Sequence, residues 1–230
     1  MKRRIIINGK NCCLLIILLI SMLLGSCNSL PLKKHKTQSL YGMIYDRDNR
    51  PVNNVLIYVN DKPMASSDIQ GRFIIPALKP RLQYAIIARK DNYEDVAINI
   101  SFSDPSYILY IRIFSADQLL AEAEEALKEK EWDRTESLLI RSQNAGGNET
   151  SIQFLQGILL FYKKQYHQAL AIISALSEKE RNAPYLYLFL ADLCQYYLQE
   201  PSEAAHYLDK FLSLQFDPAI QRRRKELPSL

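Results

Sequence analysis

The hydrophobic pattern of the chain changes once, close to residue 115. Between residues 40 and 114, short runs of β-branched and aromatic residues are separated by clusters of Asn, Asp, Pro and Gly. Apolar residues at every second position predict strands that bury one face, and this alternation is clearest in residues 96–100 and 107–113. Six or seven short strands at a spacing of roughly 8–12 residues predict a small antiparallel β-sandwich over residues 39–114.

From residue 116 the apolar spacing becomes three and four, in a segment rich in Ala, Glu, Leu and Lys, with Ser115 or Asp117 placed to cap a helix. The segment matches itself at an interval of 34 residues, which becomes 35 after residue 199. Small residues recur where paired helices must approach closely. The matching columns are Ala123, Gly157 and Ala191; Ala126, Leu160 and Cys194; Thr135, Ala169 and Ala204; and Leu139, Ile173 and Leu208.

These two patterns predict a multidomain β + α fold, in which the sandwich is followed by an α-helical repeat over residues 115–230. The repeat would consist of three helix-turn-helix units in residues 116–214. A short terminal piece over residues 218–227 would carry an exposed basic run at residues 221–225.

Residues 39–114 resemble the carboxypeptidase regulatory-like domain, a transthyretin-like sandwich. The resemblance lies in a strand that ends in Gly-x-x-x-Asp, then Pro-Val, a valine-rich strand and Asp-x-x-Gly-x-Phe. The matching residues are Gly42, Asp46, Pro51, Val52, Val55, Asp68, Gly71 and Phe73. The resemblance implies a structural or binding role, and the family has no catalytic residues to transfer to this chain.

The helical columns resemble tetratricopeptide repeats, most closely from Gly157 to Ala169 with Tyr166 between them. In that family the first helix of each unit lines a groove that holds peptides or partner segments. The resemblance therefore implies a partner-binding groove, although the same residues could instead pack internally. The candidate groove residues are Phe154, Ile158, Phe161, Tyr162, Tyr185, Leu188, Asp192 and Tyr196.

The N-terminal segment has the layout of an export signal. Four basic residues within positions 2–10 precede an apolar run of 13 residues at positions 12–24, and Leu24-Gly25-Ser26-Cys27 then resembles a lipobox. We therefore expect residues 1–26 to be a lipoprotein signal peptide, Cys27 to be the lipidation site and residues 27–38 to be a tether. The alternative, an uncleaved transmembrane helix, is disfavoured because a helix needs about 20 apolar residues to span a bilayer.

Removal of the signal changes the charge of the protein. Residues 1–26 contain four basic residues and no acidic one, so the formal net charge falls from +4 to 0 and gives no reason to expect nucleic acid binding. With Cys27 lipidated, Cys194 is the only thiol left, and no intramolecular disulfide is possible. We expect Cys194 to be a buried small apolar residue.

A search for catalytic chemistry finds no candidate. The three histidines, His35, His167 and His206, do not have metal-ligand spacing, and neither a nucleophile elbow nor a glycine-rich phosphate loop is present. The sequence therefore predicts a protein that is not an enzyme and has no cofactor and no metal.

The predicted function is that of a non-catalytic cell-envelope lipoprotein, held to the membrane by its lipid anchor and acting as a protein-binding scaffold or adaptor. The partner would be a protein or peptide. Asn28 stands where aspartate would signal retention in the inner membrane, which favours the periplasmic side of the outer membrane. The alternative is a carbohydrate- or cell-wall-binding module with the repeats as spacer, in which Tyr41, Tyr45, Tyr58 and Tyr84 stack on sugars.

Overall fold

The computed structural model describes residues 37–104 and 106–228. The predictions for the signal peptide, for lipidation at Cys27 and for nearly all of the tether fall outside these residues. The described residues from Gln38 onward belong to one compact unit. Among the described residues, no helix combines the length and hydrophobicity that crossing a bilayer requires.

Two β-sheets make up the first part of this unit. The first sheet has the strand order β4-β1-β7 and the second has the order β3-β2-β5-β6. Inward side chains of both sheets, among them Leu40, Ile57, Ile86 and Ile111, meet in one buried core. The strands are β1 Gln38–Tyr45, β2 Leu56–Val59, β3 Lys62–Ser66, β4 Arg72–Leu78, β5 Leu82–Arg89, β6 Val96–Phe102 and β7 Ile108–Arg112.

One strand pair departs from the predicted antiparallel arrangement. β7 lies parallel to β1, with Tyr41 opposite Ile108 and Met43 opposite Tyr110, whereas the other strand pairs of the two sheets are antiparallel. Alternation of apolar and polar residues determines which face of a strand is buried, but it carries no information about the direction of the neighbouring strand. The prediction of a purely antiparallel sandwich was therefore wrong at this pair.

Strand β3 was not anticipated from the sequence. The Asn60-Asp61-Lys62-Pro63 segment, with its turn-forming residues, predicts only a break after β2. In the structure Asn60 and Asp61 have φ angles of 48° and 64° and form a tight hairpin turn. Positive φ at both central residues matches the right-handed twist of the strands that the turn connects. Pro63 is compatible with β3 because β3 is an edge strand, where every second N–H points away from the sheet.

Aspartates organise two further turns of the sandwich. Oδ1 of Asp46 accepts hydrogen bonds from the backbone N–H groups of Asp48 and Arg50 at 2.8 and 2.9 Å. Gly71 closes the turn that begins at Asp68, with a φ of 73°. A Cβ at Gly71 would lie 2.4 Å from the carbonyl oxygen of Ile44, so both the backbone angle and the lack of space require glycine there.

The second part of the unit is helical, as the change of period predicts. The first helix begins with a capping box, because the Ser115 hydroxyl accepts from the Gln118 N–H while the Gln118 side chain accepts from the Ser115 N–H. The described residues contain seven α-helices: α1 Ala116–Lys128, α2 Trp132–Asn144, α3 Glu149–Tyr162, α4 Tyr166–Lys179, α5 Pro184–Asp192, α6 Pro201–Leu214 and α7 Pro218–Lys225. A π-helical segment, Leu193–Leu198, continues α5. A β region followed by an α-helical region is thus confirmed.

The helical region is attached to one end of the sandwich by charged and polar contacts. Arg141 of α2 donates two hydrogen bonds of 2.9 Å to the carboxylate of Glu94, in the turn between β5 and β6. Arg47, after β1, pairs with Glu122 of α1 at 2.9 Å. The side-chain amide of Gln118 donates to Asp46, so a residue of the helix cap also holds a sandwich turn. These contacts lie beyond the ends of the strands and leave the outward face of the first sheet uncovered.

Candidate functional site

An aromatic cluster surrounds Phe161 near the end of α3. Its ring lies 5.6 Å from Phe189, 5.8 Å from Tyr166 and 4.8 Å from Tyr197, measured between ring centroids. The Tyr162 ring is 5.6 Å from Phe161 and stacks on Trp132 at the same separation. We call these six residues, Trp132, Phe161, Tyr162, Tyr166, Phe189 and Tyr197, the Phe161 cluster.

The helix ends bring these rings together. Trp132 begins α2 and stacks on Tyr162, which ends α3. Tyr166 begins α4, and its ring lies 4.9 Å from Tyr197 in the π-helical segment. The start of α2 therefore meets the end of α3, and the start of α4 meets the π-helical segment that continues α5. These two meetings produce a continuous row of rings.

The Phe161 cluster lies at the surface. Tyr162 is 52% exposed and Tyr197 is 45% exposed, while Trp132, Phe161, Tyr166 and Phe189 are half-buried beneath or beside them. Half-buried rings with exposed neighbours form a firm apolar surface, because the inner rings fix the orientation of the outer ones. Isolated exposed aromatic residues are common on protein surfaces, but a contiguous group of this kind marks a candidate interaction site.

Three of the remaining apolar groove candidates are partly buried. Phe154 and Leu188 pack against the core formed by α4, α5 and α6, and Ile158 packs against the core formed by α1, α2 and α3. Tyr185 is exposed and meets the Phe154 ring edge-on, at 5.7 Å and an interplanar angle of 88°. None of the eight candidates is fully buried, so the stripe is neither a wholly open groove nor core.

Helix α7 contacts the last groove candidates without burying them, since Tyr196 stays 61% exposed. Nη1 of Arg223 donates to Asp192 Oδ1 at 2.6 Å, and its Nε donates to Gln195 Oε1 at 2.7 Å. The Arg223 guanidinium also lies 4.9 Å above the ring of Tyr196. Arg224 pairs with Asp209 of α6 at 2.8 Å. The prediction of an exposed basic run over residues 221–225 was therefore wrong for Arg223 and Arg224, because acidic side chains of the preceding helices bind them.

The four tyrosines of the carbohydrate-binding alternative do not form one platform. Tyr41 and Tyr45 lie on β1 in the first sheet, whereas Tyr58 and Tyr84 lie on β2 and β5 in the second. The Tyr84 hydroxyl is bound to the backbone of Lys79, and its ring packs against the sandwich core.

Cys194 is the one free thiol among the described cysteines, and it is fully buried. Burial raises the pKa of this thiol to about 12, with Glu200 and Glu203 adding to the effect. A neutral buried thiol is unreactive, so Cys194 contributes packing and no chemistry. No group of His, Cys, Asp or Glu side chains suited to a metal ion occurs in the described part of the chain.

Sequence reasoning missed five residues of this surface: Trp132, Tyr166, Phe189, Tyr197 and Arg223. Trp132 and Tyr166 match at the 34-residue interval, so their shared position at a helix start could have been read from the sequence. Phe189, Tyr197 and Arg223 could not, because their roles depend on how α5, the π-helical segment and α7 pack.

No protein-family model matches the chain, and no curated protein matches it. A solved structure of the Caf1A usher C-terminal domain matches 34% of this chain and 94% of its own length, with 14% sequence identity and a TM-score of 0.24. That structure was described for conserved hydrophobic surface clusters that are important for F1 antigen assembly. Similarity of this degree carries no argument about the fold or the function of the present chain.

Proposed function

We propose that this protein is a non-catalytic cell-envelope lipoprotein that acts as a scaffold or adaptor. Lipid on Cys27 would hold it at the membrane, and its helical region would bind a protein partner. The observation that carries the proposal is the Phe161 cluster, where exposed tyrosines rest on an ordered layer of aromatic rings. Aromatic residues supply much of the binding energy at protein interfaces, since they bury a large area at little entropic cost.

The helical region is proposed to be a stack of three tetratricopeptide-like units. The turns after α1, α3 and the π-helical segment support this proposal, because each contains one residue in the left-handed region. These residues are Lys130, Lys164 and Gln199, with φ angles of 63°, 62° and 60°, and they follow one another at intervals of 34 and 35 residues. The residue after each of them donates a backbone hydrogen bond to the carbonyl of Ala126, Leu160 and Cys194, which form one column of the repeat.

Burial of the repeat columns supports the same proposal. Ala123, Gly157 and Ala191 are all buried, and so are Thr135, Ala169 and Ala204. The 35-residue interval coincides with the π-helical segment Leu193–Leu198. A π-bulge accommodates one extra residue within a helix, so the inserted residue leaves the packing on either side in register.

The proposed partner segment is an amphipathic helix or an extended peptide, because grooves lined by aromatic side chains bind both. It would contact the exposed rings of Tyr162 and Tyr197, with Tyr185 at the far end of the stripe. The ion pair between Arg223 and Asp192 would limit the site on the side of α7.

Photocrosslinking in intact cells tests the proposal. A photoreactive residue replaces Tyr197, and the control carries it at Leu56 of β2, which is also 45% exposed. We expect one protein to be captured from position 197, to be lost when Tyr162→Ser is added, and to be absent from position 56. Adducts that are the same from both positions, or that persist with Tyr162→Ser, would refute a binding role for the Phe161 cluster.

A further inference from the structure

The outward face of the first sheet is apolar although it faces solvent. Residues alternate inward and outward along β4, β1 and β7, and the outward positions carry Tyr41, Met43, Ile74, Ile108 and Tyr110. Tyr41 lies opposite both Ile74 and Ile108, and Met43 lies opposite Tyr110, so these side chains form two adjacent rows across the three strands. Tyr41, Ile74 and Tyr110 are 50%, 51% and 61% exposed.

The outward face of the second sheet is mixed. On β5 and β6 its outward positions carry Gln83, Asn99 and Ser101 together with Ala85, Ile87 and Ala97. On the outward face of the first sheet, by contrast, large exposed apolar and tyrosine side chains stand next to one another in adjacent rows. A groove of about 650 Å³ runs along it, lined by Tyr41, Met43, Ile74 and Ile108 among others.

The charges on this face are basic. Two outward positions are arginines, Arg72 and Arg112, and no outward position of β4, β1 or β7 is acidic. Arg72 pairs at 2.8 Å with Asp68, a carboxylate that also lines the groove, so this pair adds no net charge. The guanidinium of Arg112 donates to the side-chain carbonyl of Asn49 and has no carboxylate partner among the described ion pairs. Apolar and tyrosine side chains bordered by arginine are what an anionic membrane interface binds.

The face is close to the proposed anchor along the chain. Tyr41 and Met43 belong to β1, the strand into which the tether runs, and Gln38 follows Cys27 by 11 residues. An extended chain spans at most about 3.6 Å per residue, so Gln38, at the start of β1, would lie no more than roughly 40 Å from Cys27. Between Cys27 and Gln38 the tether itself carries Lys33, Lys34 and Lys36.

We propose that the outward face of the first sheet lies on the surface of an anionic phospholipid membrane. Three strands about 4.8 Å apart and five residues long present only about 250 Å², far less than the roughly 800 Å² per partner of a stable protein interface. Lipid contact needs no such area, because the anchor already keeps the face near the bilayer. Whether the face is held near the bilayer depends on lipidation of Cys27, whereas the binding of the face to lipid does not.

Vesicle binding tests this proposal without the anchor. The mature chain with Cys27→Ser is co-sedimented with vesicles of phosphatidylcholine alone, or of equal parts phosphatidylcholine and phosphatidylglycerol. We expect stronger binding to the mixed vesicles, and a loss of about tenfold when Ile74→Ser and Tyr110→Ser are combined, because apolar area is removed from the contact. Leu56→Ser with Leu82→Ser, at residues 45% and 49% exposed on the second sheet, is the matched control and should bind like the parent.

Two further measurements keep the result specific. Arg112→Gln should weaken binding to the mixed vesicles and leave binding to phosphatidylcholine vesicles unchanged. The tether lysines are the same in every variant, so they do not account for a difference between variants. Equal binding of the parent chain and the Ile74/Tyr110 variant would overturn the proposal. If the parent chain dimerises but does not bind vesicles, and the Ile74/Tyr110 variant no longer dimerises, the face is a self-association surface and the proposal is overturned. Tyr162→Ser should leave vesicle binding unchanged, so failure of the adaptor proposal is distinguishable from failure of this one.

Discussion

Replacing Phe161 with alanine tests the aromatic cluster as a structural unit. The ring contacts Tyr162, Tyr166, Phe189 and Tyr197, at centroid distances of 4.8–5.8 Å. Truncating a fully buried Phe costs about 3–5 kcal/mol, and an aromatic pair contributes about 0.5–1.5 kcal/mol beyond burial. Because Phe161 is only half-buried, we expect Phe161→Ala to lower the free energy of unfolding by about 2–3 kcal/mol.

Tyr162→Ala provides the comparison within the same cluster. Tyr162 is 52% exposed and loses chiefly its stacking on Trp132, so about 1 kcal/mol is expected. Urea titration followed by circular dichroism at 222 nm measures both variants. In a chain of this size each kcal/mol corresponds to a shift in melting temperature of roughly 2–4 °C. Equal losses of stability for the two variants would contradict the packing described here.

The comparison also determines which variant can test binding. Phe161→Ala is expected to disturb the rings around it, so a loss of partner capture by that variant has two explanations. Tyr162→Ala leaves Phe161 and the ring layer beneath it in place. Lost partner capture with a nearly unchanged melting temperature in Tyr162→Ala therefore supports the adaptor proposal, and unchanged capture refutes a contact with Tyr162.

Three further predictions concern the anchor, the helix packing and the buried thiol. Cys27→Ser should leave unprocessed precursor or release the protein from membranes, which mass spectrometry and detergent-phase partitioning measure; an unchanged mass and distribution would contradict lipidation. Gly157→Ala should lower the free energy of unfolding by about 1–2 kcal/mol. An added Cβ would lie 2.4 Å from Ile173 Cδ1, and this overpacking exceeds the gain in helix propensity of about 1 kcal/mol. Combined with Ile173→Ala, which removes that contact, Gly157→Ala should show a favourable coupling energy in a double-mutant cycle; simple additivity would show that the two residues do not touch. The pKa of the Cys194 thiol is raised from its ordinary value of 9.0 to about 12, so the folded state favours the neutral thiol. The contribution of Cys194 to the free energy of unfolding should therefore be constant below pH 9 and decline from pH 9 toward pH 12. Urea titrations of the protein and of Cys194→Ala across this pH range measure the contribution. A difference in free energy of unfolding between the two proteins that does not change with pH would contradict the prediction.

The helix contact at Gly157 differs from the one that the repeat pattern predicts. The repeat columns place small residues at Gly157 and Ala169 and predict that these two face each other where the helices of the middle unit cross. Both are buried, but the closest approach of Gly157 is to Ile173, one helical turn beyond Ala169. The spacing of small residues identifies the face on which two helices pack. It does not determine which turn of one helix meets which turn of the other, because that depends on the crossing angle of the pair.

Local information in the sequence was sufficient for the order of most elements, with β3 and the π-helical segment as exceptions. The change of hydrophobic period marks the boundary between Arg112, the end of β7, and Ala116, the start of α1. The capping box at Ser115 and the glycine turn at Gly71 depend on interactions within a few residues, so both could be identified from spacing alone. Lipidation at Cys27 remains a prediction from the sequence.

The tertiary structure decided what depends on residues far apart in the chain. The parallel pairing of β7 with β1, the meeting of Trp132 with Tyr162, and the binding of Asp192 by Arg223 join positions separated by about 30 to 70 residues. Period and propensity describe one element at a time, and they do not determine which ends of different elements come together. Both candidate surfaces, the Phe161 cluster and the apolar face of the first sheet, arise from such encounters. The sequence by itself therefore determined that a β region precedes an α-helical region, and packing between the elements determined where a partner or a membrane could bind.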